Sequence, residues 1–155
     1  RCTNCYTGNL PMSATLYQTD TYAWSRRQVE LLRNEDFAAV DWDNLIEEID
    51  SLGREQQNAV RSQLERLLMH LLKWQYQPGR RGSSWRRSIT DSRVQIELKL
   101  QDNPSLRPRL AEFSGDIYPL AKRHAASETR LALRTFPEMC AWSIEQLLDF
   151  EFYPE

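Results

Sequence analysis

Residues Glu55–Gln75, EQQNAVRSQLERLLMHLLKWQ, carry the pattern on which the fold turns. Val60, Leu64, Leu67, Leu68, Leu71 and Trp74 return every three or four positions, which puts them on one stripe of an α-helix. No alternation of period two competes with that reading. Pro78-Gly79 closes the segment, because proline lacks an amide donor and pushes the residue before it out of the helical region. A helix with one oily stripe needs other helices to cover it.

Those helices are found on both sides. Thr19 or Asp20 is a suitable N-cap for a helix over 20–34, with Tyr22, Val29 and Leu32 at helical intervals. Residues 35–40 suggest a turn or a short helical link. Asp41 then precedes a second helix whose stripe is Trp42, Leu45, Ile46, Ile49 and Leu52, and Gly53 is expected to stop or kink it. After Gly82-Ser83-Ser84, read as part of a loop over 77–84, a fourth helix carries Trp85, Ile89, Ile96 and Leu100 and ends at Asn103-Pro104. A fifth is expected over 105–127, with Leu106, Leu110, Phe113, Ile117, Leu120 and Ala121 inward and a kink at Pro119. Ser143 and Gln146 form a capping box before a short helix over 144–149, and the aromatic tail Phe150, Phe152 and Tyr153 is expected to dock on the bundle. The expected fold is all-α, a single-domain helical bundle of about five to six helices without sheet, over residues 16–155.

Composition agrees. The chain has 155 residues, 41% apolar and 27% charged, close to the average of globular domains and far from the signature of disorder. A net charge of -2 gives no global pull toward nucleic acid or anionic membrane. No apolar run approaches the roughly 20 residues of a membrane span. Three cysteines are an odd number that argues against a disulfide framework, and a cytoplasmic setting is expected. Residues 1–15 read as an extension, since Met12-Ser13-Ala14 resembles a translational start. Cys2-x2-Cys5 has half of a zinc-knuckle spacing, but Cys140, His70 and His124 are scattered singly, so neither a metal nor a cofactor is expected.

Several longer motifs resemble a known family. They are Leu16-Tyr17-x-Thr19-Asp20-x-Tyr22-x-Trp24, Asp41-Trp42-x-Asn44-Leu45-x-Glu47-Glu48-Ile49-x-Ser51-Leu52-Gly53, and Leu67-x-x-His70-Leu71-Leu72-Lys73-Trp74-Gln75-Tyr76-Gln77-Pro78. With Phe136-Pro137 and Trp142-Ser143-x-Glu145-Gln146-Leu147-Leu148, they are similar to the bacterial domain-of-unknown-function family 29, common in cyanobacteria. The resemblance implies an all-helical fold and supplies no activity.

Two constellations are candidates for function. Between Lys73 and Arg93 six bases (Lys73, Arg80, Arg81, Arg86, Arg87 and Arg93) face the single acid Asp91, a local charge of +5. Trp74, Tyr76 and Trp85 lie among them. Guanidinium forks interleaved with rings suit an anionic partner, either an acidic protein surface or nucleic acid. Residues 34–52 hold seven acids and no base, so the two blocks can also neutralise each other within the fold or across a homo-oligomer. The second constellation is His70 with Glu48, Lys73 and Arg66. Were Glu48 and His70 to meet across a helix pair, they would form a general acid–base couple, with Arg66 and Lys73 stabilising charge on a phosphodiester. The first expectation is a non-enzymatic binding module, and the alternative is a nuclease-like enzyme.

Overall fold

The computed structural model describes residues 12–155, so Cys2 and Cys5 lie outside the described residues. Among the described residues there are six α-helices, four short 3-10 turns and no strand. The helices are α1 (Met12–Thr19), α2 (Thr21–Arg33), α3 (Trp42–Tyr76), α4 (Ser83–Asp102), α5 (Leu110–Thr129) and α6 (Ile144–Leu148). The chain divides into two compact units, one up to Gly53 and one from Arg54 onward.

In the first unit, α2 begins at Asp20, whose carboxylate accepts the Ala23 N–H at 2.9 Å and so satisfies one free donor of the first turn. The link after α2 is the expected short turn, a 3-10 helix over Phe37–Ala39. The buried face of α2 differs from the expected one. Trp24, Gln28 and Leu31 are buried, while Tyr22 is exposed. Polar bonds fix that phase: the Trp24 indole donates to Asp41 Oδ2 at 3.1 Å, and Gln28 Oε1 accepts the Asp41 N–H at 2.9 Å. Together with the bond from Tyr17 to Glu48, these set α2 antiparallel to the start of α3.

Gly53, expected to stop or kink the second helix, does not stop it. Residues 42–76 form one helix of 35 residues, and a Cβ placed at Gly53 would meet nothing within 4 Å. A glycine inside a helix costs about 1 kcal/mol against alanine, too little to interrupt so long an element.

The second unit holds the main core. Val60, Leu64, Leu67, Leu68, Leu71 and Trp74 of α3 are buried as expected, together with Ile89, Ile96 and Leu100 of α4 and Leu110, Phe113, Tyr118, Ala121 and Ala125 of α5. The fifth expected helix starts as a 3-10 turn, Pro104–Arg109, and continues as α5 without a break in the helix at Pro119. One backbone bond is lost at that proline, and burial of Tyr118 and Ala121 on either side holds the helix together. Leu120, expected inward, is exposed. The capping box of Ser143 and Gln146 is present, with bonds of 3.3 Å and 2.9 Å. Of the tail aromatics, Tyr153 packs on Trp74 at 4.9 Å between centroids and Phe152 on Trp142 at 6.3 Å, whereas Phe150 stays exposed.

Candidate functional site

The arginine-rich segment is placed by the end of α3. Gln77 leaves the helical region before Pro78, a 3-10 turn takes up Pro78–Arg80, and Gly82 leads into α4, so Ser83 and Ser84 belong to the helix and not to the expected loop. This short reversal brings Arg81 and Arg86 over Trp74, with Arg80 and Arg87 next to them along the chain. The Arg81 and Arg86 guanidinium carbons lie 5.4 Å and 5.5 Å from the Trp74 ring centroid, and Arg86 is also 5.2 Å from that of Tyr153. Arg81 further donates from Nε to the Trp74 carbonyl at 2.8 Å, capping the carboxyl end of α3 where a cation is favoured. Arg80 is exposed, and Arg87 has only a loose partner, Asp91 at 3.6 Å on the exposed face of α4.

No side chain caps α4, and its first turn carries no acid. The free N–H groups of that turn therefore add their positive potential to four arginines. Arg86 closes this turn and Arg87 follows it, so like sign opposes the helix dipole there and an anion would relieve it.

The rings among the arginines are not open platforms. Trp74 is 7% exposed, between Tyr153 and the two guanidinium groups. Tyr76 packs edge-on against Phe136 at 5.0 Å, and Trp85 lies under Lys73 Nζ at 4.8 Å. Arg93 is 1% exposed and donates to the carbonyls of Leu147, Phe150 and Phe152 at 2.8, 3.4 and 2.7 Å, so it anchors the carboxyl-terminal segment.

The second constellation is divided. Glu48 and His70 lie on the same helix, α3, and not on two helices of a pair. Glu48, in the first unit, accepts the Tyr17 hydroxyl at 2.6 Å, and that bond holds the tyrosine's pKa above its ordinary value. His70, in the second, is 9% exposed, with Nδ1 at 2.9 Å from the Arg66 carbonyl. A carbonyl only accepts, so Nδ1 carries the proton and Nε2 is left as the acceptor. Lys73 is buried and paired with Glu128, and Arg66 is exposed with Nη2 3.4 Å from Ser88 Oγ. Arg66, His70 and Lys73 are thus neighbours on α3, and His70 and Lys73 share Glu128 as a nearby acid.

Burial pushes the His70 pKa down; the Arg66 carbonyl opposes that shift and the Lys73 charge adds to it. His70 is therefore neutral in the folded protein over a pH range where the unfolded chain binds a proton. Its contribution to stability is whole above the unfolded value of about 6.5 and is lost as pH falls from there toward the folded pKa. Urea midpoints measured through that window should fall more steeply for the native protein than for His70→Gln. Equal slopes would remove His70 as the cause.

A feature the sequence did not announce is a cavity of about 620 Å³ in the second unit, lined in part by Ser114, Tyr118, Cys140, Trp142 and Glu145. The Tyr118 hydroxyl donates to the Pro137 carbonyl at 3.0 Å, and burial raises its pKa to about 12. Burial also pushes the Cys140 thiol up, which keeps it protonated and weakly nucleophilic. The cavity's signals in the sequence were the capping box at Ser143 and the motif Trp142-Ser143-x-Glu145, whose three named residues line it. Among the described residues, no group of three or more His, Cys, Asp or Glu is placed to hold a metal ion, and no helix is long and apolar enough to cross a membrane.

Residues 16–153 match the family model described as a domain of unknown function, DUF29. No curated protein matches the chain. No solved structure matches it either.

Proposed function

Since the chain belongs to the DUF29 family, a domain of unknown function, we propose on physical grounds that it is a binding module whose arginines around Trp74 dock an acidic protein surface. The observation that carries this reading is the grouping of Arg80, Arg81, Arg86 and Arg87 at an uncapped helix start, with no acid between positions 77 and 90. Two of the four are already oriented by Trp74, so less side-chain freedom is lost when a carboxylate arrives.

An acidic protein suits the site better than single-stranded nucleic acid. Single-strand binding draws much of its energy from bases stacked on free rings. Here Trp74, Tyr76 and Trp85 are all engaged within the fold. What remains for a partner is guanidinium forks and helix amides, which pair with carboxylates and leave binding strongly dependent on salt.

The test uses a fluorescent Asp/Glu-rich peptide as probe, with single-stranded RNA as competitor. Arg80 and Arg87 are the residues to change, because both are exposed and neither caps backbone, unlike Arg81. Arg80→Ala with Arg87→Ala is expected to weaken peptide binding about tenfold at low ionic strength and to flatten its salt dependence, with stability changed by less than about 0.5 kcal/mol. Unchanged affinity, or RNA bound in preference to the peptide, would overturn the reading.

A further inference from the structure

We propose that the first unit is a self-association surface, on which the α2–α3 hairpins of two copies of this chain pack face to face as a four-helix bundle about a two-fold axis. The hairpin buries little of its own apolar surface. Tyr22 is 76% exposed, Ile46 59%, Ile49 60% and Leu52 60%, and between the helices runs a groove of about 330 Å³. Both helices thus carry more apolar surface than one hairpin covers: α2 turns Trp24 and Leu31 inward and leaves Tyr22, Val29 and Leu32 on the groove. A concentrated apolar face on a helix pair is what a second helix pair covers in a bundle.

Gln28, which lines the groove, gives a second sign of incompleteness. Its Oε1 is taken by the Asp41 amide, and its buried Nε2 has no partner.

Charge selects the occupant. On α2, Arg26 and Arg33 follow Tyr22 and Val29 by four positions and so flank that edge of the groove. On α3, Asp43 and Asp50 lie three before and four after Ile46 and flank the opposite edge. All four are exposed, and none forms an ion pair among the described residues. A two-fold axis parallel to the helices lays α2 of one copy over α3 of the other. The basic edge then meets the acidic edge twice, and the contact closes on itself. The other two-fold arrangement, with α2 over α2, sets like charges together.

The experiment is sedimentation of the full chain, with circular dichroism to confirm that each variant keeps its helices. The native protein should be a dimer, and Ile46→Glu with Ile49→Glu, at positions already open to water, should make it a monomer. Arg26→Glu with Arg33→Glu, and separately Asp43→Lys with Asp50→Lys, should each weaken self-association on the order of a hundredfold. An equimolar mixture of those two charge variants should dimerise again, because each then meets its complement at both contacts. Arg80→Ala with Arg87→Ala should leave the dimer intact, which separates this surface from the arginine site. A native monomer at the highest concentration the protein reaches in solution, a dimer indifferent to the Ile changes, or a mixture that stays monomeric would each overturn the proposal. A monomer that captures a different protein at this face would do the same.

Discussion

Arg93→Ala is expected to destabilise the protein by roughly 3–5 kcal/mol, among the largest losses any single change here produces. The guanidinium is buried and bonds three carbonyls from separate points of the carboxyl-terminal segment. Burial pushes its pKa down, but the charge survives because those carbonyls face it and Tyr153 lies beside it. Without the side chain, the Leu147 carbonyl loses its partner in a buried setting and the two tail carbonyls lose theirs. Tyr153 then loses one of its three ring contacts, and Tyr153 is the ring against which Trp74 and Arg86 are set. The variant should thus unfold at lower urea and expose the segment after Leu148 to protease. Arg93→Lys should not rescue it, since one ammonium cannot reach three diverging acceptors. A loss below about 1 kcal/mol would show that the segment is held by packing alone.

Phe113→Ala should cost a similar amount, roughly 3–5 kcal/mol, because the ring is fully buried in the second unit and its removal leaves a cavity that the neighbouring helices cannot fill. Two guanidinium groups cover this ring, Arg109 at 4.8 Å and Arg61 at 5.5 Å from its centroid. Each is also held by an acid, Arg109 by Glu112 and Arg61 by Asp116. Phe113→Leu retains most of the volume and should cost about 1.5 kcal/mol or less. Equilibrium urea unfolding separates the two outcomes, and equal losses for both variants would place the energy in the cation contacts instead of the cavity.

The parts of the fold that were legible in the sequence are those where burial alone sets the pattern. Every apolar position of the stripe from Val60 to Trp74 is buried in the structure, and the burial spreads to Met69, His70, Leu72 and Lys73 beside it. The phase of α2 was not legible. Its buried face contains Gln28, a polar residue whose amide serves the Asp41 backbone, so the periodicity of Tyr22, Val29 and Leu32 looked stronger than that of Trp24 and Leu31. Gly53 misled for a related reason: the residue type marks helix ends, but at an open surface position its cost is small. The division into units falls within α3 and leaves no loop or proline to mark it.

At the candidate site, the arginines were visible as composition, whereas their separate duties were not. Arg93 did leave a trace, standing with Ile89, Ile96 and Leu100 on the inward face of α4. A charged residue in the phase of a core stripe is an anchor more often than a surface contact. Arg81 left none, because capping of α3 depends on how the chain reverses after Pro78. Trp74 and Trp85 lie on apolar stripes and so read more readily as core than as platforms, and the guanidinium and ammonium groups that cover them come from the same charged block that suggested the platforms.

The most direct test of the arginine site is an NMR titration of the whole protein with an Asp/Glu-rich peptide, following backbone amides and arginine Nε–H signals. Docking of an acidic surface on these arginines should give shifts confined to Arg80–Arg87 and the side chains around Trp74, reversed by added salt. Shifts centred on the cavity beside Tyr118 and Trp142, or none at low ionic strength, would contradict it.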